Sequence, residues 1–126
     1  MTMRTPLKNV RHLGSAREGA SHFVLQRLTG AVNAVLAVFL VWLIAKLAGA
    51  GYATVRTMLH NPLVALGLLL LIGSGVIHMR LGMQVIIEDY VHGEGTKLAA
   101  LAINTLFAIL IGVAGIFAVL KLSFGA

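Results

Sequence analysis

Three apolar runs decide what this chain can fold into. The first, Leu28 to Ala45, has 18 residues without a charge and is bracketed by Arg27 and Lys46. The second, from about Leu63 to Ile87, is interrupted only by His78 and Arg80 near its end. The third, Leu98 to Leu120, has 23 uncharged residues between Lys97 and Lys121. A helix needs roughly 20 apolar residues to cross the hydrocarbon core of a bilayer. In that medium only a helix or a closed barrel keeps every backbone polar group paired. The expected fold class is an all-α membrane protein with three transmembrane helices.

Composition agrees that lipid is the solvent. Of the 126 residues 59% are hydrophobic and 11% charged, and the mean hydropathy is +0.94. A soluble domain of this length carries far more polar surface. The net charge of +6 belongs at the bilayer edge, where it sets orientation, rather than on nucleic acid. There is no cysteine, so the chain supplies no disulfide, iron–sulfur cluster or thiolate nucleophile. Electrons, if they pass here, travel on a cofactor held by other ligands. Arg4, Lys8, Arg11 and Arg17 are not followed directly by an apolar stretch, so no cleavable signal peptide is expected. The first apolar segment, starting near Phe23, is long enough to stay as an anchor.

Local signals set the boundaries. Asn61-Pro62 reads as an N-cap and a first-turn proline. Gly49 and Gly51 follow the first span, Gly93 and Gly95 close the second, and Thr96 can cap the third. Ser15-Ala-Arg-Glu18 has capping-box spacing for a short interfacial helix. The layout expected is a basic segment over 1–22 and a three-helix anchor over 23–126, with helices over about 23–48, 62–90 and 97–122. Five basic residues precede the first span, against Lys46 and Arg56 in the first loop. The N-terminus is therefore expected in the cytoplasm, the 46–62 loop outside, the 88–97 loop inside and the C-terminus outside. Arg27, Asp89 and Tyr90 then share one interface.

The second span carries the residues with chemistry. His78 lies 11 residues before Asp89, about 16 Å along a helix, which puts its imidazole well inside the hydrocarbon. An ionisable group at that depth is costly and marks a functional site by default. Ser74, His78 and Gly82 recur at four-residue spacing, with Gly75 nearby. Small residues around a histidine leave room for a flat ligand such as a haem with imidazole ligation. They equally permit tight helix packing around a hydrogen-bonded histidine. His12, His22, His60 and His92 are all at the wrong depth to be a second axial ligand, so a haem partner would come from another subunit. Asp89 and Tyr90 at the helix end could orient and hydrogen-bond a quinone, or be a solvated carboxylate beside an interfacial aromatic. Arg27 could pair with an anion such as a haem propionate, polarise a quinone oxygen, or reach to headgroups. Asn33 and Asn104 read as interhelical hydrogen bonds, and Ala108-x-x-x-Gly112 with Gly115 as a packing face.

Two segments together resemble a known family: Ser21-His-Phe-Val-Leu-Gln-Arg27-Leu-Thr-Gly-Ala and His78-x-x-x-Gly82-Met-x-x-x-x-x-Asp89-Tyr90-Val. With the three-helix layout, they resemble the hydrophobic membrane-anchor subunits (D chains) of succinate dehydrogenase, respiratory complex II. The resemblance implies a helical bundle completed by a second three-helix anchor, a cytochrome b-type C chain. It implies iron–sulfur and flavoprotein subunits as further partners, with lipids around the bundle. It makes His78 an axial ligand of the iron in a shared haem b, places Arg27 near the propionates and quinone, and assigns Tyr90 and Asp89 to ubiquinone.

The function expected is a non-catalytic anchor subunit of succinate:ubiquinone oxidoreductase in a bacterial inner membrane, with no catalytic residue of its own. Rival readings are a fumarate reductase anchor, a cofactor-free scaffold and a transporter subunit. No internal repeat supports a transporter.

Overall fold

The computed structural model describes residues 19–125 together with Leu7 and Val10. The proposed capping box at Ser15–Glu18 lies outside the described residues, as do Arg4, Lys8, Arg11, His12 and Arg17. Four helices follow one another: α1 (Gly19–Leu47), α2 (Tyr52–Leu59), α3 (Pro62–Tyr90) and α4 (Glu94–Phe124). There is no strand among the described residues. Helices α1, α3 and α4 are each long and apolar enough to cross a membrane.

The helix ends follow from local chemistry. The Asn61 side chain accepts the Leu63 N–H at 2.9 Å, while Pro62 in the first turn has no N–H to satisfy. Helix α3 stops at Tyr90 because Val91 turns extended. After α1, Gly49 adopts φ 76°, a left-handed turn that a side chain would strain. Two boundaries differ from expectation. Among the described residues α1 is already helical from Gly19 rather than from near 23, and α4 begins at Glu94 with Gly93 as its N-cap. Thr96 is therefore inside the first turn and is not the cap. Its hydroxyl donates to the Gly93 carbonyl at 2.8 Å, and the Lys97 N–H shares that acceptor.

Helix α2 was not anticipated. It has eight residues, and only Val55, Met58 and Leu59 are partly buried. Three apolar positions at helical spacing are too few to stand out between two long spans.

Helix α3 is central, flanked by α1 and α4. Small residues bring the backbones together. Ala108 is 1% exposed, and Gly112 and Gly115 face Val76 and Ile72, so the packing face expected on the third span is present. On the other side Gly67 lies under the Phe39 ring, where a Cβ would come within 2.7 Å of Cζ. Buried Asn104 donates from Nδ2 to the Arg80 carbonyl at 2.9 Å, the interhelical bond its position predicted. Asn104→Leu removes that bond and should lower the thermal stability of the purified protein by about 1–2 kcal/mol; an unchanged unfolding midpoint would refute its role. Asn33 differs: its buried Oδ1 has no partner among the described residues.

Apolar side chains cover much of the outer surface, with Val35 72%, Val113 63% and Phe117 65% exposed. Only lipid or other apolar protein can cover such a surface.

Candidate functional site

Antiparallel packing sets residues 19–30 of α1 against residues 78–88 of α3. Between them lies a cavity of about 670 Å³, lined among others by His22, Gln26, Arg27, Gly30, His78 and Glu88. Three of these matter most for what the cavity can hold.

His78 is partly buried, and its Nδ1 lies 3.1 Å from Thr29 Oγ1 and 3.2 Å from the Gln26 carbonyl oxygen. The ring is thus gripped from one side by α1. Gly30 sits against its edge: a Cβ there would stand 3.2 Å from His78 Cε1. Gly82, one turn beyond His78, makes room for Gln26, whose Nε2 would lie 3.1 Å from an added Cβ. The Gln26 amide oxygen is buried without a hydrogen bond among the described residues. A buried acceptor left open is uncommon and marks a place where a ligand or another chain can supply a donor.

Arg27 also lines the cavity, with its guanidinium 4.4 Å from the centre of the Phe23 ring. Stacking on an aromatic holds the group near the cavity without neutralising it. At the same end, the Glu88 carboxylate accepts from Gln84 Nε2 at 2.8 Å, and its carbonyl accepts from Lys97 Nζ at 2.8 Å.

The expected residues are only partly brought together. His78 and Arg27 share the cavity. Asp89 and Tyr90 do not line it; both are exposed at the tip of α3, Tyr90 at 77%. Glu88, which sequence reasoning passed over, takes the cavity position instead. Gly75 is also off the histidine's side: it lines a groove against α4 with Ile111 and Gly115. The small residue that touches the ring, Gly30, comes from α1. Arg80 turns to α4, where its Nε donates to Thr105 Oγ1 at 3.4 Å. Met79 and Met83 line a separate apolar cavity of about 350 Å³ between α3 and α4. No cluster of three His, Cys, Asp or Glu capable of holding a bare metal ion occurs among the described residues.

The family described as succinate dehydrogenase/fumarate reductase transmembrane subunit matches residues 1–119. The chain belongs to this transmembrane-subunit family. Similar curated proteins agree. A succinate dehydrogenase hydrophobic membrane anchor subunit of Rickettsia bellii is 29% identical over 92% of this chain and 93% of its own length. The counterpart in Paracoccus denitrificans is 28% identical, over 97% and 94%. A succinate dehydrogenase membrane anchor subunit of Reclinomonas americana is 32% identical, over 78% and 84%. No solved structure matches the chain significantly.

As a transmembrane subunit of this family, the chain is a multi-pass membrane protein with an anchor role. Three of its site residues, Gln26, Thr29 and Gly30, escaped sequence reasoning. They do sit within the Ser21–Ala31 segment that carries the family resemblance, at helical spacing on one side of α1. Nothing in the spacing said which residue of another helix they would face.

Proposed function

We propose that the chain anchors a succinate dehydrogenase to the membrane, supplies one axial imidazole to a haem b and helps to form a ubiquinone site. The observation that carries the haem is His78 beside the 670 Å³ cavity, with one ring nitrogen engaged by α1 and a glycine at the ring edge. A cavity of that size suits a cofactor. The donor set suits it too: a lone imidazole cannot hold a bare ion, but it can complete a porphyrin's coordination.

A further ligand to such a haem would come from outside this chain. His22 lines the same cavity, but it lies eight residues before Gly30 on α1, about 12 Å from the level of His78. The partner is a second three-helix anchor, whose helices cover the apolar face of α1. When bound, the haem carries single electrons. This chain's own residues do the rest. His78 would hold the iron, and Arg27 would balance the propionates. Tyr90 donates its hydroxyl to a quinone carbonyl, and Asp89 beside it passes protons from water. Their exposure at the tip of α3 supports a quinone site completed by the second anchor and the iron–sulfur subunit.

The end that bears Arg27, Asp89 and Tyr90 faces the cytoplasm of a bacterial cell, where the flavoprotein and iron–sulfur subunits dock. Antiparallel α1 and α3, and the adjacency of Arg56 to Lys121 at the opposite end, support three crossings that leave residue 125 on the side away from Arg27.

Deleting the chain tests the anchor reading. Succinate oxidation with a soluble acceptor should move from the membrane to the soluble fraction, and quinone reduction should vanish. Membrane-bound activity with normal quinone reduction would refute it.

A further inference from the structure

Thr29 is one of few buried polar residues, 7% exposed, and it sits in the middle of an apolar helix. Its hydroxyl has three neighbours: the Leu25 carbonyl at 2.8 Å, the Gln26 carbonyl at 3.2 Å and His78 Nδ1 at 3.1 Å. A hydroxyl has one proton to give and two lone pairs to receive with. The two carbonyls can only accept, and the closer one, four residues back, takes the proton. A lone pair of Oγ1 is then left for the imidazole.

The same logic fixes the histidine. Nδ1 is also 3.2 Å from the Gln26 carbonyl oxygen. An unprotonated Nδ1 would set its lone pair against that oxygen. A protonated Nδ1 donates to the carbonyl and to Thr29 Oγ1 together. In a neutral imidazole the lone pair is then on Nε2, which forms no hydrogen bond to any described residue. Helix α1 therefore presents His78 in the one tautomer that can bind iron through Nε2.

We infer that Thr29 is a positioning residue for the haem ligand: its hydroxyl, locked by the Leu25 carbonyl, holds the Nδ1–H of His78, fixes the ring's tautomer and orientation, and strengthens Nε2 as an electron donor. The inference rests on the haem reading above. Of the residues assigned to the haem, the Thr29 hydroxyl contacts the His78 imidazole, and it acts through it. Acceptors at the remote nitrogen of a ligating histidine raise its basicity. A more basic ligand favours the ferric over the ferrous iron, so the wild-type hydroxyl lowers the haem midpoint potential.

The test uses the assembled complex with Thr29→Val, which keeps the shape and deletes the hydroxyl, and Thr29→Ser, which restores it. Thr29→Ala deletes it without filling the space and must behave as Thr29→Val does. In redox titrations followed optically, the haem midpoint of Thr29→Val and Thr29→Ala should shift to more positive potential. Haem loss to an excess of a haem-free globin should become roughly tenfold faster. Thr29→Ser should match the wild type in both. A full haem complement with unmoved midpoint and unchanged loss rate in the hydroxyl-free variants overturns the inference alone. A wild-type complex with no haem overturns the reading of His78 and this inference with it.

Discussion

His78→Ala is expected to abolish the b-type haem spectrum of the complex while leaving the anchor folded. Of the two imidazoles among the described residues that line the cavity, His22 lies about 12 Å along α1 from the level of His78, so a haem held by His78 would lose its ligand from this chain. The fold should survive because the ring's loss strands little. Thr29 Oγ1 keeps its bond to the Leu25 carbonyl, and the Gln26 carbonyl is still in a helix. The cost to stability is on the order of 1–2 kcal/mol. Optical spectra and the yield of assembled complex separate the two effects. A variant that assembles with an unaltered haem spectrum would remove His78 from the site.

The second large effect is at Tyr90. Tyr90→Phe keeps the ring and deletes the hydroxyl that we propose donates to the quinone. Negative charge builds on the quinone oxygen during reduction, so the lost hydrogen bond is one that strengthens as the reaction proceeds. Quinone reduction should fall roughly ten- to hundredfold. Succinate oxidation by a soluble acceptor should stay near wild type, since Tyr90 is 77% exposed and its hydroxyl makes no hydrogen bond to any described residue that the substitution would break. Equal loss of both activities would point to failed assembly instead of a quinone contact.

The fold was legible where the signal was physical and local. Charges at Arg27, Lys46, Lys97 and Lys121 bracket the first and third spans, and the Asn61-Pro62 cap starts α3 where it was read. The misses share one cause. Thr96 and Gly93 compete for the start of α4, and the winner depends on where the loop leaves the preceding helix. The His78 surroundings were half-legible for the same reason. Spacing along one helix shows which residues share a face, and it assigned Gly82 to the histidine's side. It could not show that Gln26, Thr29 and Gly30, some fifty positions away, would close around the ring, nor that Gly75 would turn to α4. Glu88 entered the cavity ahead of Asp89 because one residue is about 100° of helix rotation, and sequence gives no zero for that angle.

The reduced-minus-oxidised optical spectrum of the purified wild-type complex, with its haem content counted by extraction, bears most directly on His78. One b-type haem per copy of this chain is the result expected. A complex that reduces quinone with succinate yet shows no haem band would contradict it.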